Sequence, residues 1–130
     1  MLAVGAPAAV FLVVGAAWWL APAFIAPKFG VTLQDGVGLS TQVGNLGAFF
    51  LTLGGCMATA LVTGNRLWFR PALMLVGGTA FGRIIAWAVH GAAFASDMVA
   101  VEVLVAVLLV FSISADLKGS TSAEPPPKLV

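Results

Sequence analysis

Charge is what this sequence has least of: 8% of its 130 residues are Asp, Glu, Lys or Arg, against about 25% in soluble domains. With 61% hydrophobic residues and a mean hydropathy of +1.08, that scarcity excludes water as the solvent for most of the chain. The net charge of +1 excludes a nucleic-acid partner, because each phosphate contact takes its own Lys or Arg. Cysteine is nearly absent too. Cys56 stands alone, so one chain can form no internal disulfide, thiolate zinc cluster or C-x-x-C redox pair. Beside Gly54, Gly55 and Ala58 it reads as a small apolar packing residue.

Recognisable catalytic patterns are also missing. His90 is the only histidine, and no second His or Cys stands at metal-ligand spacing, so no metal site is expected. Gly36-Val-Gly38 lacks both the preceding strand and the later glycine of a dinucleotide fingerprint. The hydroxyls nearest His90 are Thr79 and Ser96, and no nucleophile motif surrounds either. No inverted repeat of the transporter kind is visible. The chain therefore reads more readily as a non-enzyme than as an enzyme, and no cofactor is called for.

What remains is a series of long apolar runs, which predicts an all-α fold: a polytopic transmembrane bundle of four helices. Spans of about 20 residues fill most of the length and leave no room for a second domain. They are expected at about 2–26, 41–64, 71–92 and 96–114, within one domain over 1–117. Pro7 and Pro22 fall near the ends of the first span, where a missing donor is tolerated. Residues 30–40 are polar and glycine-rich and read as an exposed loop. Pro71 suits the start of the third helix, and Ser96 is placed to cap the fourth. Residues 118–130, with Pro125, Pro126 and Pro127, are expected to form a flexible cytoplasmic tail. The N-terminal run does not read as a cleaved signal peptide: Ala21-Pro22-Ala23 loosely imitates a cleavage site, but no Lys or Arg precedes it and it exceeds roughly 7 to 15 residues.

Basic residues in short loops mark the cytoplasmic side. Arg66, Arg70, Lys118 and Lys128 fall on one side and Lys28 on the other, so both termini are expected in the cytoplasm, in a bacterial inner membrane or an organellar one. Trp18 and Trp19 then lie near the outer interface and Trp68 at the inner one.

Helices in lipid associate through close packing and polar links rather than by escape from water. Gly44, Gly47 and Gly55 on the second span, with Ala48, Gly54 and Ala58, and Gly78 and Gly82 on the third, with Gly77, are the expected packing positions. Arg83 lies near the middle of the third span, where a charge costs at least about 2.5 to 3.5 kcal/mol. Glu102, early in the fourth, approaches from the same end, and the depth difference of about 7 Å is within an arginine's reach. His90, seven residues after Arg83, shares nearly the same face. Asn45 reaches a similar depth, so Arg83, Glu102, His90 and Asn45 form a candidate polar cluster, rimmed by Trp18 and Trp19. The cluster reads either as a register-fixing ion pair with hydrogen-bonded neighbours, or as a site for a small molecule.

Ala21-Pro22 closing the first helix, the glycine-rich second helix, Gly82-Arg83 in the third and Glu102 early in the fourth resemble an uncharacterised bacterial family of small four-helix membrane proteins in the DoxX-like neighbourhood. The resemblance covers about Met1 to Asp116 and implies a fold but no catalytic roles. The quinone or sulfur redox work associated with the DoxX-like group gains nothing from a lone, packed Cys56.

Two functions stay open. One is a structural or accessory subunit that packs against a larger membrane complex, of a respiratory or photosynthetic kind, with the bilayer and other membrane subunits or itself as partners. The other is a lipid-, quinone- or small-molecule-binding protein or enzyme using the Arg83, His90 and Glu102 cluster, whose guanidinium would suit a carboxylate or phosphate head group. A small transporter or channel ranks last.

Overall fold

In the computed structural model, which describes residues 2–121, every regular element is a helix. A single 3-10 turn, Leu2–Val4, leads into α1, Gly5–Leu20. Pro7 sits in the first turn of α1, where the backbone N–H groups have no helical acceptor. The helix ends six residues before the expected boundary at 26. Pro22 is the cause, because its ring pushes the preceding residue out of helical conformation: Ala21 adopts φ −146°, ψ 59°, while its N–H still closes on Ala17 O at 2.8 Å. The chain turns through α2, Pro22–Ile25, and a 3-10 turn, Ala26–Phe29, which Gly30 stops at φ 65°.

α3, Gly36–Thr63, is the longest helix at 28 residues. It begins five residues before the expected Thr41, so the polar segment read as loop is partly its first turn. At 1.5 Å per residue it is about 42 Å long, which exceeds a hydrocarbon layer of about 30 Å and lets that polar turn stand outside. Asn65 Oδ1 accepts from Leu67 N at 3.0 Å and starts the Arg66–Trp68 turn. α4, Phe69–His90, follows two residues ahead of the expected Pro71 and ends at Gly91, φ 66°. α5, Ser96–Thr121, passes the expected end at 114 and enters the segment read as tail; residues 122–130 of that segment lie outside the described residues. Ser96 does not cap α5. It is the first residue of the helix, and its hydroxyl donates to Asp97 Oδ1 at 3.3 Å.

Three helical segments are long and apolar enough to cross a membrane: Gly36–Thr63, Arg66–His90 and Ser96–Ala115. α1 is apolar but shorter, at 16 residues. α1 packs against α3, α3 against α4, and α4 against α5. The α1–α3 seam is the tightest, and glycine makes it so. A Cβ on Gly54 would lie 2.8 Å from Leu12 N and 2.9 Å from Ala8 O, and one on Gly15 would lie 2.7 Å from Leu51 N. Gly47 also meets α1, under the indole of Trp19. Gly44, Gly55, Gly78 and Gly82, expected at contacts, have nothing within 4 Å of a built Cβ. Sequence shows that a small residue permits an approach, not which of several small faces is used.

Burial is uneven along the bundle. Near the Arg66 end, Val4, Ala8, Leu53, Met57, Phe69, Val76 and Leu109 draw α1, α3, α4 and α5 into one core. Near the Asp35 end a second cluster joins α1, the loop and α3 around the fully buried Trp18, with Phe29, Val31, Leu33 and Phe50 against it. α4 and α5 take no part there. No residue of α4 after Val76, and none of α5 before Val105, is buried. Beyond those positions, toward the His90–Ser96 connection, α4 and α5 carry only half-buried and exposed residues.

Candidate functional site

One ion pair joins this part of α4 to α5. Arg83 on α4 donates from Nε to Glu102 Oε1 on α5 at 2.8 Å. On α5, Glu102 lies in line with Val105, Leu109 and Ser112, the face that is buried lower down. On α4, Arg83 continues the face of Ala72 and Val76. Both residues thus point to the bundle interior because their helices already turn that face inward. The geometry is single-stranded rather than forked. Glu102 Oε2 is buried with no hydrogen-bond partner, and the terminal amino groups of Arg83 bond to no described residue. The side chains are 30% and 15% exposed, so the guanidinium is the open side of the pair.

The other candidates are placed differently. His90 is exposed in the last turn of α4, on nearly the same face as Arg83 but two turns away, and makes no hydrogen bond to a described residue. Asn45 is exposed on α3 and likewise unpartnered. The structure therefore joins Arg83 to Glu102 and leaves His90 and Asn45 outside. His90 stands two turns, about 10 Å, beyond Arg83 on the same helix, and Asn45 is on α3. The tryptophans are no rim either. Trp18 is fully buried against Phe29, its Nε1 without a partner, and Trp19 lies across Gly47.

Two polar links were not anticipated from sequence. Gln42 accepts from Gln34 N at 2.9 Å through Oε1 and donates to Thr32 O at 3.0 Å through Nε2, fastening the loop before α3 to that helix. A carboxamide just inside a helix that follows a polar loop was the available signal. At the other end Arg66 Nη1 donates to Ser112 O at 2.7 Å, tying the Arg66–Trp68 turn to α5. Ser112 is buried in an apolar helix, with its hydroxyl on Leu108 O at 2.8 Å. A serine among valines and leucines hinted at an internal face, though Ser114 stands two residues on and nothing in the sequence named the partner.

Chemically, the arrangement offers hydrogen-bond donors from Arg83. Among the described residues no group of three or more His, Cys, Asp or Glu could hold a metal ion. Surface clefts of about 510 Å³, beside Ala26, Pro27 and Leu33, and about 210 Å³, beside Arg66, Leu108 and Phe111, both lie away from the ion pair. No family model, no curated protein and no solved structure matches this chain.

Proposed function

We propose that this chain is a non-enzymatic accessory subunit of a membrane assembly, held there through the interior side of the outer halves of α4 and α5. The observation that carries the proposal is the half-open ion pair. A guanidinium whose terminal amino groups lack partners, inside a bilayer that holds no water at that depth, needs acceptors from another molecule. The small extramembrane loops and the lack of a catalytic motif agree with this reading.

In this reading α1 is a fourth, shorter span. At about 24 Å it falls short of the hydrocarbon layer, and the Leu2–Val4 turn and α2 extend it at its two ends. The Arg66 and Arg70 end faces the cytoplasm with both termini, by the bias of basic residues in short connections. The membrane is a bacterial inner membrane or an organellar one, and the kinship proposed is with small DoxX-like four-helix proteins.

The second reading, a site for a lipid, quinone or other small molecule, draws on the same free donors. It is the weaker one, because His90 and Asn45 do not join the pair and the two surface clefts described above lie elsewhere. Extraction from native membranes in mild detergent, followed by size analysis, tests the accessory role. The chain is expected to migrate with other protein. Migration as an isolated chain under every mild condition would count against it.

A further inference from the structure

Arg66 opens the candidate span Arg66–His90, and the span Ser96–Ala115 ends three residues past Ser112. Arg66 and Ser112 therefore meet at one boundary of the hydrocarbon layer, joined by the 2.7 Å bond from Nη1 to the Ser112 carbonyl. Beside them is a cleft of about 210 Å³, lined by Ala3, Arg66, Leu108, Phe111, Ser112 and Ala115. Leu108, Phe111 and Ala115 recur at intervals of three and four residues, so they form one strip on α5, about 10 Å long, that runs from the boundary into the apolar layer. The strip is open: Phe111 is 77% exposed, and Ala3 and Ala115 are exposed too. Arg66 is the one charged residue of the lining.

We propose that this cleft holds an anionic phospholipid, with its phosphodiester on the Arg66 guanidinium and the upper part of one acyl chain along Leu108 and Phe111. A basic residue at the mouth of an apolar groove matches a molecule with an anionic head and an apolar body. The sequence gives this end the complementary charge: Arg66, Arg70, Lys118 and Lys128 stand there against Asp116 and Glu124, whereas the opposite end has Lys28 against Asp35 and Asp97. Connections rich in Arg and Lys face the cytoplasm, whose leaflet carries the anionic lipids that basic pockets between spans select. The Ser112 carbonyl steadies the guanidinium, whose planar donors suit phosphate oxygens. Arg83 lies about 10 Å below the His90 end of α4, but Arg66 stands where head groups already are, so none has to be drawn into hydrocarbon. Free phosphate would match the arginine and leave the apolar strip unused. The site is separate from the Arg83–Glu102 pair and does not depend on which molecule meets that pair.

The test places the full chain in phosphatidylcholine vesicles with a trace of phosphatidylglycerol or phosphatidylcholine, spin-labelled on one acyl chain. Electron paramagnetic resonance then reads the fraction of each label held against the protein. Phosphatidylglycerol is expected to be preferred, and Arg66→Gln to reduce the preference about fivefold, the worth of one arginine at an anionic surface. Arg66→Lys keeps the charge and should recover most of it. Arg70→Gln, outside the lining, should cost less than Arg66→Gln. Ala115→Trp fills the cleft from an exposed position and alters no charge, so it should remove the preference while circular dichroism stays the same. That variant carries the test if Arg66→Gln does not fold. A preference that survives Ala115→Trp, or that falls equally with Arg66→Gln and Arg70→Gln, would reveal diffuse attraction to the basic end and overturn the site. Displacement of the labelled lipid by inorganic phosphate at constant ionic strength would overturn the lipid as its occupant.

Discussion

Replacing Gly54 with alanine should pry α1 from α3. The new Cβ would sit 2.8 Å from Leu12 N and 2.9 Å from Ala8 O, while comfortable contact needs about 3.5 to 4.0 Å. Both obstacles are backbone atoms, so no side chain can swing away and the helices must part by roughly 0.5 to 1 Å. Overpacking of this kind costs about 1 to 3 kcal/mol, and the rigid neighbours place Gly54→Ala near the top of that range. Alanine's better helix propensity returns up to about 1 kcal/mol, leaving a net loss of about 2 kcal/mol. Gly78→Ala is the control. Nothing lies within 4 Å of its built Cβ, so the single chain should only gain, by up to about 1 kcal/mol. Reversible unfolding by dodecyl sulfate titration in mixed micelles, followed by near-ultraviolet circular dichroism, reads both. The two substitutions should move the midpoint in opposite directions, about 3 kcal/mol apart. Equal shifts, or a stabilised Gly54→Ala, would refute the assignment of the seam.

Further outcomes follow from the polar links. Arg83→Gln and Glu102→Gln should each destabilise by about 2 to 4 kcal/mol, and the double variant by less than their sum, as a double-mutant cycle in the same titration will show. Gln42→Leu removes two hydrogen bonds from the outer loop, each worth about 1 kcal/mol, and should speed hydrogen exchange at the Gln34 amide while α4 amides keep their protection. Arg66→Met should cost about 1.5 to 3 kcal/mol through the lost charged bond to Ser112 O, again read by dodecyl sulfate titration. Cys56 is buried, so a water-soluble maleimide should label it only after unfolding; rapid labelling of the folded protein would contradict its place in the core.

Much of the fold was legible because hydrocarbon as a solvent imposes simple rules. Apolar runs must be helical, charges few, and a buried Arg must find an acid; Arg83 and Glu102 follow from those rules and from a short turn between their helices. Helix ends were less legible. Pro22 stops α1 outright, whereas the polar residues Ser40, Thr41 and Gln42 continue a helix of 28 residues, longer than a hydrocarbon layer requires. Packing was the least legible. Gly54 and Gly78 look alike in sequence, yet one is pinned under two backbone atoms and the other faces open space. Asn45 shares the depth of Arg83, and His90 its face, but neither bonds to it, because a shared depth or face does not fix which side chains meet.

The account turns on whether protein, not lipid, meets the open side of the Arg83–Glu102 pair. A photoreactive residue at Met98, one turn from Glu102 on the same side of α5, and another at Phe111, which is 77% exposed, can be activated in native membranes and their adducts identified. Met98 should give protein adducts and Phe111 lipid adducts. Lipid adducts alone at Met98 would contradict the account.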